Sequence, residues 1–583
     1  MFRPLSLLPA AMVFVLTASI ACAQTAAPAA DWIPDTALIV LEVRQPQTLV
    51  DYAVDSSLSQ AMQSSPQWQQ AKAQPNYAKF QQGVAFFERL LETDWRAGIT
   101  GLTGGGVTLA VLGEDQVVMI ADAADVRLLN RLHNTLSIFA QTAAANKGQA
   151  DPMRTWQHAG INCYSFNATE AHALIDNRLV LASRAAILER VLDLRAGHGE
   201  GVMSSSVGYR AALQASSSHD QAAAFTYVNV AAVKQNPTVA AGLNQGIDNP
   251  LAALLLAPLA DAARQAKWLA ATLDVRDQAL SMITTTDAHT PAANALTSFA
   301  YPSSPDGALA NLNTPRRLAA MSFYRDLHAF YAAKDELFPQ RTSGLIFFEN
   351  MMGIFFTGRD LTDEVLGELE PHIRLVVAEQ TWPNGRAPQV KLPGFAVVFQ
   401  MKNPDRFSLV AEEAWQKALG MVNFTRGQQA LPGLLIDRPT YAGIKYTSAY
   451  FSDAGATSGS DDTRFNLRPC IARVGDHLIL SSTESLTCDL IDSLKRESSS
   501  PAKAQPSRHS LIEVDGAQLG SILNANRDTL IRKNMIEKGN TQAQAEGEIN
   551  MLITIVRAIG SARVEVGSRD NHPQITLQLA PAK

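Results

Sequence analysis

The sequence predicts an α+β fold built as two tandem, pseudo-repeated units of mainly antiparallel sheet with packed helices. Three observations carry that expectation. The pattern strand, helix, Ala-Gly-Ile segment, hairpin, helix runs from Val117 to Leu194 and recurs in the same order from Val397 to Leu494. Both copies contain hairpins closed by turn-forming pairs, Asp176-Asn177 and Gly475-Asp476, which tolerate the positive φ of tight turns. Hairpins mixed with helices, without strict βαβ alternation, argue against a doubly wound sheet.

The elements follow in order. Val117-Val118-Met119 aligns with Val397-Val398-Phe399, and Asp125 then coincides with Asp405. Both aspartates precede helical apolar spacing, where a carboxylate caps orphan N–H groups, so both read as N-caps. His158-Ala159-Gly160-Ile161 and Tyr441-Ala442-Gly443-Ile444 each enter a strand. The hairpins follow, with Leu179-Val180-Leu181 matching Leu478-Ile479-Leu480. Ser183 and Ser482 then coincide as candidate caps of the helices 184–195 and 483–495. The second copy differs by a Gly/Ser/Asp-rich insertion, Ser452 to Asp462, which reads as a surface loop.

The repeat extends outward. Ala37 to Val43 has its counterpart in Leu318 to Tyr324, and Ala223 to Val230 in Ser510 to Val514. Terminal hairpins, 268–285 and 562–579, close the units. The expected organisation is a signal peptide over 1–23, a disordered leader over 24–31, unit 1 over 32–287, a linker over 288–315 and unit 2 over 316–583. At 583 residues the chain exceeds one core.

The first residues read as an export signal. Arg3 supplies a basic start, Leu5 to Ile20 is apolar, and Ala21-Cys22-Ala23 gives a small-x-small cleavage pattern. A second reading is lipid attachment at Cys22, since Ser19-Ile20-Ala21-Cys22 places a small residue before the cysteine but lacks the usual Leu three residues earlier. The expected location is the periplasm or the medium. No later segment reads as a membrane span; Pro250 to Leu259 is short, broken by Pro258, and reads as a buried helix. Cys163, Cys470 and Cys488 read as three buried thiols, with a Cys470–Cys488 bridge as the alternative if the helix after the hairpin folds back.

Composition and motifs exclude more than they identify. A net charge of -6 with no basic cluster speaks against nucleic acid. Thr103-Gly104-Gly105-Gly106 precedes a strand, not the helix a phosphate loop requires. His133, His158 and His172 lack the i, i+4 spacing of a zinc helix, and no Cys-x-x-Cys is present, so no cofactor or metal is assigned. No Gly-x-Ser-x-Gly elbow marks a nucleophile. Asp461-Asp462 and Glu412-Glu413 read as solvated acids. The distinctive apolar segment is Phe347, Phe348, Met351, Met352, Phe355 and Phe356, which reads either as core or as an apolar contact patch.

The mature start, Trp32-Ile33-Pro34-Asp35-Thr36-Ala37-Leu38-Ile39-Val40-Leu41-Glu42-Val43, with units such as Asp176 to Leu194, resembles large exported bacterial, planctomycete-like proteins carrying a domain of unknown function. The resemblance implies no catalytic residues. The expected function is therefore a non-catalytic binding or structural role in the cell envelope, with an unidentified protein or envelope component as partner. Two competing readings are a hydrolase with a site between the units and a carrier of apolar ligands.

Overall fold

The computed structural model describes residues 27–146, 153–167, 170–199, 201–216, 221–288, 297–303, 305–382, 387–451 and 462–582. The proposed signal, Cys22 and most of the Ser452 to Asp462 insertion lie outside the described residues.

Twenty-three strands form: β1 Ile39–Val43, β2 Gly106–Gly113, β3 Gln116–Asp122, β4 Arg154–His158, β5 Ile161–Ser165, β6 Ala171–Ile175, β7 Arg178–Ala182, β8 Ala224–Val228, β9 Leu269–Arg276, β10 Ala279–Thr286, β11 Gly307–Leu309, β12 Arg317–Tyr324, β13 Leu369–Ala378, β14 Gly394–Met401, β15 Leu434–Asp437, β16 Thr440–Tyr441, β17 Ile444–Phe451, β18 Cys470–Val474, β19 His477–Ser481, β20 Ala504–Pro506, β21 Arg508–Asp515, β22 Ser561–Arg569 and β23 His572–Ala580. In the first unit they pair antiparallel in the order β10-β9-β8-β1-β2-β3-β7-β6-β5-β4. In the second the order is β23-β22-β21-β12-β13-β14-β19-β18-β17-β16, with β15 also on β17. The two orders are the same strand for strand. The α+β class and the internal repeat are thus realised at the level of topology.

Shared backbone devices explain why two divergent sequences adopt one order. The Ala-Gly-Ile segments are two-residue hairpin turns joining β4 to β5 and β16 to β17. Both central residues have positive φ: Ala159 47° and Gly160 75°, Ala442 49° and Gly443 79°. That is the turn whose twist matches paired strands. The terminal hairpins repeat it with Asp277-Gln278 and Asp570-Asn571. Ser183 and Ser482 are equivalent, but neither caps a helix. Ser183 Oγ accepts from Val117 N at 3.1 Å, and Ser482 Oγ accepts from Phe395 N at 2.8 Å. Each closes the end of its strand pair, while Arg184 and Thr483 are the helix N-caps. Asp125 does cap its helix, accepting from Arg127 N and Leu128 N. Asp405 does not; Asn403 is the N-cap, Pro404 begins the helix, and Asp405 pairs with Arg473 at 2.6 Å. The equivalence also corrects the first strand. Val117 matches Phe395, not Val397. A two-residue slip keeps every side chain on its face, so hydrophobic pattern cannot detect it.

The unit boundaries differ from expectation. Residues up to Asn244 and Ala263–Ala288 form one unit, while Gln245–Ala262 fold with His289 onward. The leader is ordered from its last residues: Ala29–Asp31 form a 3-10 turn and Ala30 is buried. The next residues dock too, with Trp32 stacked under Arg178 at 4.3 Å and Ile33 fully buried. The described part of the 288–315 segment is packed, not loose. Phe299 and Leu312 are buried, and β11 pairs with β20.

The Pro250–Gln265 helix shows why that piece of chain belongs to the second unit. Ala253, Ala257 and Asp261 are buried, although Leu251 and Leu256 face solvent, so the helix is half-buried where full burial was expected. Pro258 lacks an N–H, which leaves the Leu254 carbonyl without its helical donor. Arg325, fully buried after β12, supplies the missing donor: its Nε donates to Leu254 O at 2.7 Å. Its other donors reach Tyr324 O at 2.6 Å, His509 O at 3.0 Å, Leu255 O at 3.3 Å and Ser510 Oγ at 3.0 Å. A guanidinium has five N–H groups, and all five are used. Burial lowers its pKa to about 10, so it stays charged at neutral pH.

Removing this side chain leaves several buried carbonyls unpaired, each costing about 1–3 kcal/mol. Arg325→Met is expected to destabilise the protein by about 3 kcal/mol or more in urea unfolding. Pro258→Ala restores a donor for Leu254 O, so the same substitution in that background should cost about 1 kcal/mol less. Equal costs in both backgrounds would show that the proline and the arginine act independently.

His509, buried beside Arg325, is held well below the ordinary histidine pKa of 6.5, first by burial and then by the guanidinium. It is neutral when folded and takes up a proton on unfolding. Its contribution is therefore complete above the unfolded pKa and is lost as pH falls below it, at about 1.4 kcal/mol per pH unit. Urea midpoints should drop between pH 7.5 and 5.5, and His509→Gln should make that drop smaller. An unchanged drop would assign the pH dependence to other groups.

Candidate functional site

The apolar segment singled out from sequence forms the Thr342–Phe355 helix and its end. Glu349 is its sole charged residue, so the helix has more apolar side chains than one buried face can take. Leu345 is buried, and Met352 and Phe356 pack on the same core cluster as Phe330, Tyr331 and Phe407. Met351 and Phe355 are half-buried. The opposite side faces outward: Phe347 is 70% exposed, Ile354 61%, Ile346 53% and Phe348 39%. The six predicted residues therefore divide between core and surface.

The neighbouring Pro404–Gln428 helix continues the pattern. Phe407, Val410, Ala411, Ala414 and Leu419 point inward, while Leu409, Met421, Val422 and Phe424 are exposed. A polar clasp joins the two helices. Thr357 Oγ1 donates to Glu413 Oε1 at 2.8 Å, and Lys417 reaches both Thr357 (2.6 Å) and Glu413 (2.9 Å). These bonds hold Glu413 below the usual carboxylate range, Lys417 first. Glu412 is also engaged, accepting from Thr447 at 2.8 Å and Arg438 at 3.1 Å. The acids expected to be merely solvated thus organise this surface.

The first unit carries a counterpart that the sequence reading missed. Its Pro75–Leu91 and Val126–Ala145 helices occupy the same two connections, after the first and third strands of the unit. Phe87, Leu90, Leu91 and Leu129 pack together. Phe80, Phe86, Leu136, Ile138 and Phe139 are exposed, with Phe86 and Phe139 edge-to-face at 5.3 Å. The Phe86-Phe87 and Ile138-Phe139 pairs were the available signal, since they widen the apolar face beyond the stripe that docks each helix.

Titratable side chains gather at several places in both units. In the second unit, Arg374 is buried between Glu497 (2.7 Å) and His477 (3.1 Å). His477 also meets Asp476 at 2.8 Å, and Gln400 donates to Asp476 at 2.7 Å. Burial and Arg374 push the His477 pKa down. Both its ring nitrogens are engaged, which makes it a structural link. The first unit puts a different solution at the equivalent strand positions: Arg178 grips Asp122 through two bonds, at 2.6 and 2.8 Å. Another gathering, in the first unit, is His133 with His172, Tyr164 and Glu170. His158 lies apart, paired with Asp193 at 2.6 Å.

The remaining sequence candidates resolve simply. Thr103 to Gly106 is the turn between a helix and β2; Gly106 has φ 114° and lies against Val43 O, which excludes a side chain. Cys163, Cys470 and Cys488 are unpaired, and burial raises all three thiols, Cys163 to about 11 and Cys470 to about 12. A groove of about 540 Å³ beside β21 and β22 is lined by Arg508, Glu565, Arg569 and Asp570 among others. Among the described residues, no three His, Cys, Asp or Glu side chains converge as a metal ligand set. Among them also, no helix is long and apolar enough to cross a membrane.

No protein-family model and no curated protein matches the chain. Solved structures similar to part of it include TP0453 in crystal form III, 8% identical over 45% of this chain and 80% of that one, with a TM-score of 0.23. Crystal form IV of TP0453 gives 9% identity, 43% and 79% coverage, and a TM-score of 0.23. At that score the likeness bears on neither fold nor function.

Proposed function

We propose that this chain is an exported, non-catalytic binding protein of the bacterial cell envelope, and that the exposed apolar helix faces are its contact surface. The observation that carries the reading is the outward side of the 342–355 and 404–428 helices, where Phe347, Ile354, Leu409 and Phe424 are each more than 60% exposed. Large apolar side chains exposed together on helix faces mark a contact site in a folded protein. Recurrence in the equivalent helices of the first unit supports a selected feature over a local accident. The export reading rests on Arg3, the apolar run to Ile20 and Ala21-Cys22-Ala23.

The test is site-specific photocrosslinking in cells. A benzophenone side chain at position 424 should give discrete adducts with an envelope protein, and one at the exposed polar position Lys533 should not. Phe347→Glu with Ile354→Glu should abolish the adducts while leaving unfolding stability within about 0.5 kcal/mol, as expected for exposed positions. Adducts that persist in the double variant would remove this face from the binding surface. Fractionation should find a product shortened by the first residues in the periplasmic or membrane fraction; full-length protein in the cytoplasm would overturn the export reading.

A further inference from the structure

The His133 cluster goes beyond that function. β5 and β6 place Tyr164 directly opposite His172. His172 and Leu174 alternate onto one sheet face, and Leu174 packs with Leu128, Leu129 and Leu132 of the Val126–Ala145 helix. His133, the next residue on that helix, is thereby brought to His172. The separation between His172 Nε2 and His133 Nδ1 is 3.3 Å.

The surroundings orient both rings. Glu170 is anchored by accepting from Phe166 N at 3.1 Å and meets His172 Nδ1 at 2.6 Å. The carboxylate requires the proton on Nδ1, which leaves the Nε2 lone pair directed at His133. Tyr164 lies over both imidazoles, its centroid 4.6 Å from His133 and 5.5 Å from His172, and Phe166 flanks His172 at 5.1 Å. His172 is buried and His133 is half-buried, so the pair opens outward past His133.

We propose that His133 Nδ1 and His172 Nε2 form a two-imidazole site for a divalent transition metal, with Glu170 as the outer carboxylate that orients His172. Two nitrogens bound at about 2.0–2.1 Å to one tetrahedral ion lie about 3.3 Å apart. A carboxylate behind a ligating histidine fixes its tautomer and raises its basicity. Water or an exogenous ligand completes the coordination. Imidazole ligands suit copper and zinc, with Cu²⁺ bound more tightly.

The duplicate unit shows that the fold itself does not call for these groups. At the positions equivalent to Tyr164, Glu170 and His172 stand Thr447, Pro469 and Ile471. Ile471 is buried in ordinary apolar packing there. An imidazole pair with its own carboxylate is thus particular to the first unit, where an apolar pair would serve the sheet.

Cu²⁺ alone is the probe, added to untagged full chain at pH 7.5 and followed by calorimetry and electron paramagnetic resonance. One equivalent should bind tightly with the hyperfine pattern of two nitrogens. His133→Ala, at a half-exposed helix position, should lose that equivalent, and Glu170→Gln should weaken it about 10–100-fold. His158→Ala should leave it unchanged. Thermal unfolding should shift upward with Cu²⁺ in the native chain but not in His133→Ala. Retention of the tight equivalent in His133→Ala, a one-nitrogen pattern, or no stoichiometric binding would each overturn the site.

Discussion

The second unit is organised around a buried cation that has no ion-pair partner among the described residues. Arg325 is fully buried, and its five donors are met by four backbone carbonyls and one hydroxyl. Burying an unpaired charge costs several kcal/mol unless hydrogen bonds replace its water. Here the replacement is complete, and the carbonyls come from three separate segments: the Pro250–Gln265 helix, the end of β12 and β21. One side chain therefore fixes the position of a proline-interrupted helix, a central strand and its neighbour. Pro258 creates the need and Arg325 meets it. The inverse holds for Leu254 O, which would be occupied by its helical donor if residue 258 carried an N–H.

That arrangement has no counterpart in the first unit, and the contrast shows what a repeated fold conserves. The two units share turns and strand ends: the Ala-Gly hairpins with positive φ at both positions, and the serines that accept from Val117 N and Phe395 N. They do not share charges. Where Arg178 grips Asp122, the second unit has His477 and Gln400, which meet at Asp476, and His477 in turn contacts Arg374, the partner of Glu497. Backbone geometry is common to every strand of a given order. Buried charge pairs contribute little net stability over apolar packing, so each unit is free to solve them differently.

This division explains how much of the molecule was legible in the sequence. Strand order was readable because period-two runs and turn residues encode it locally. The hairpins 171–182 and 470–481 are found with their turns in place. The pairing of Val117 with Val397 failed by two residues because an even slip leaves the pattern intact. Asp405 was misread because Asn403-Pro404 starts the helix two residues earlier. The placement of 245–262 could not be read at all, since it depends on Arg325, distant in sequence and unremarkable in composition. His133 and His172 were visible as residues but not as a pair, because a helix-to-strand contact has no fixed spacing.

The exposed apolar helices remain the feature least explained by folding. A helix needs one apolar stripe to dock, and the 342–355 helix docks with Leu345, Met352 and Phe356. Phe347 and Ile354 lie on the far side, seven residues apart, where a charged residue would serve solubility better. The same excess appears in the 75–91 and 126–145 helices, on the same two connections of the other unit. The two units differ at the Arg178–Asp122 positions and at the Arg325 site, yet both expose apolar side chains on these helices. Solubility would remove such side chains one at a time, without cost to the core. The contact role proposed above accounts for their presence in both units, because burial against a partner would offset the cost of exposing them.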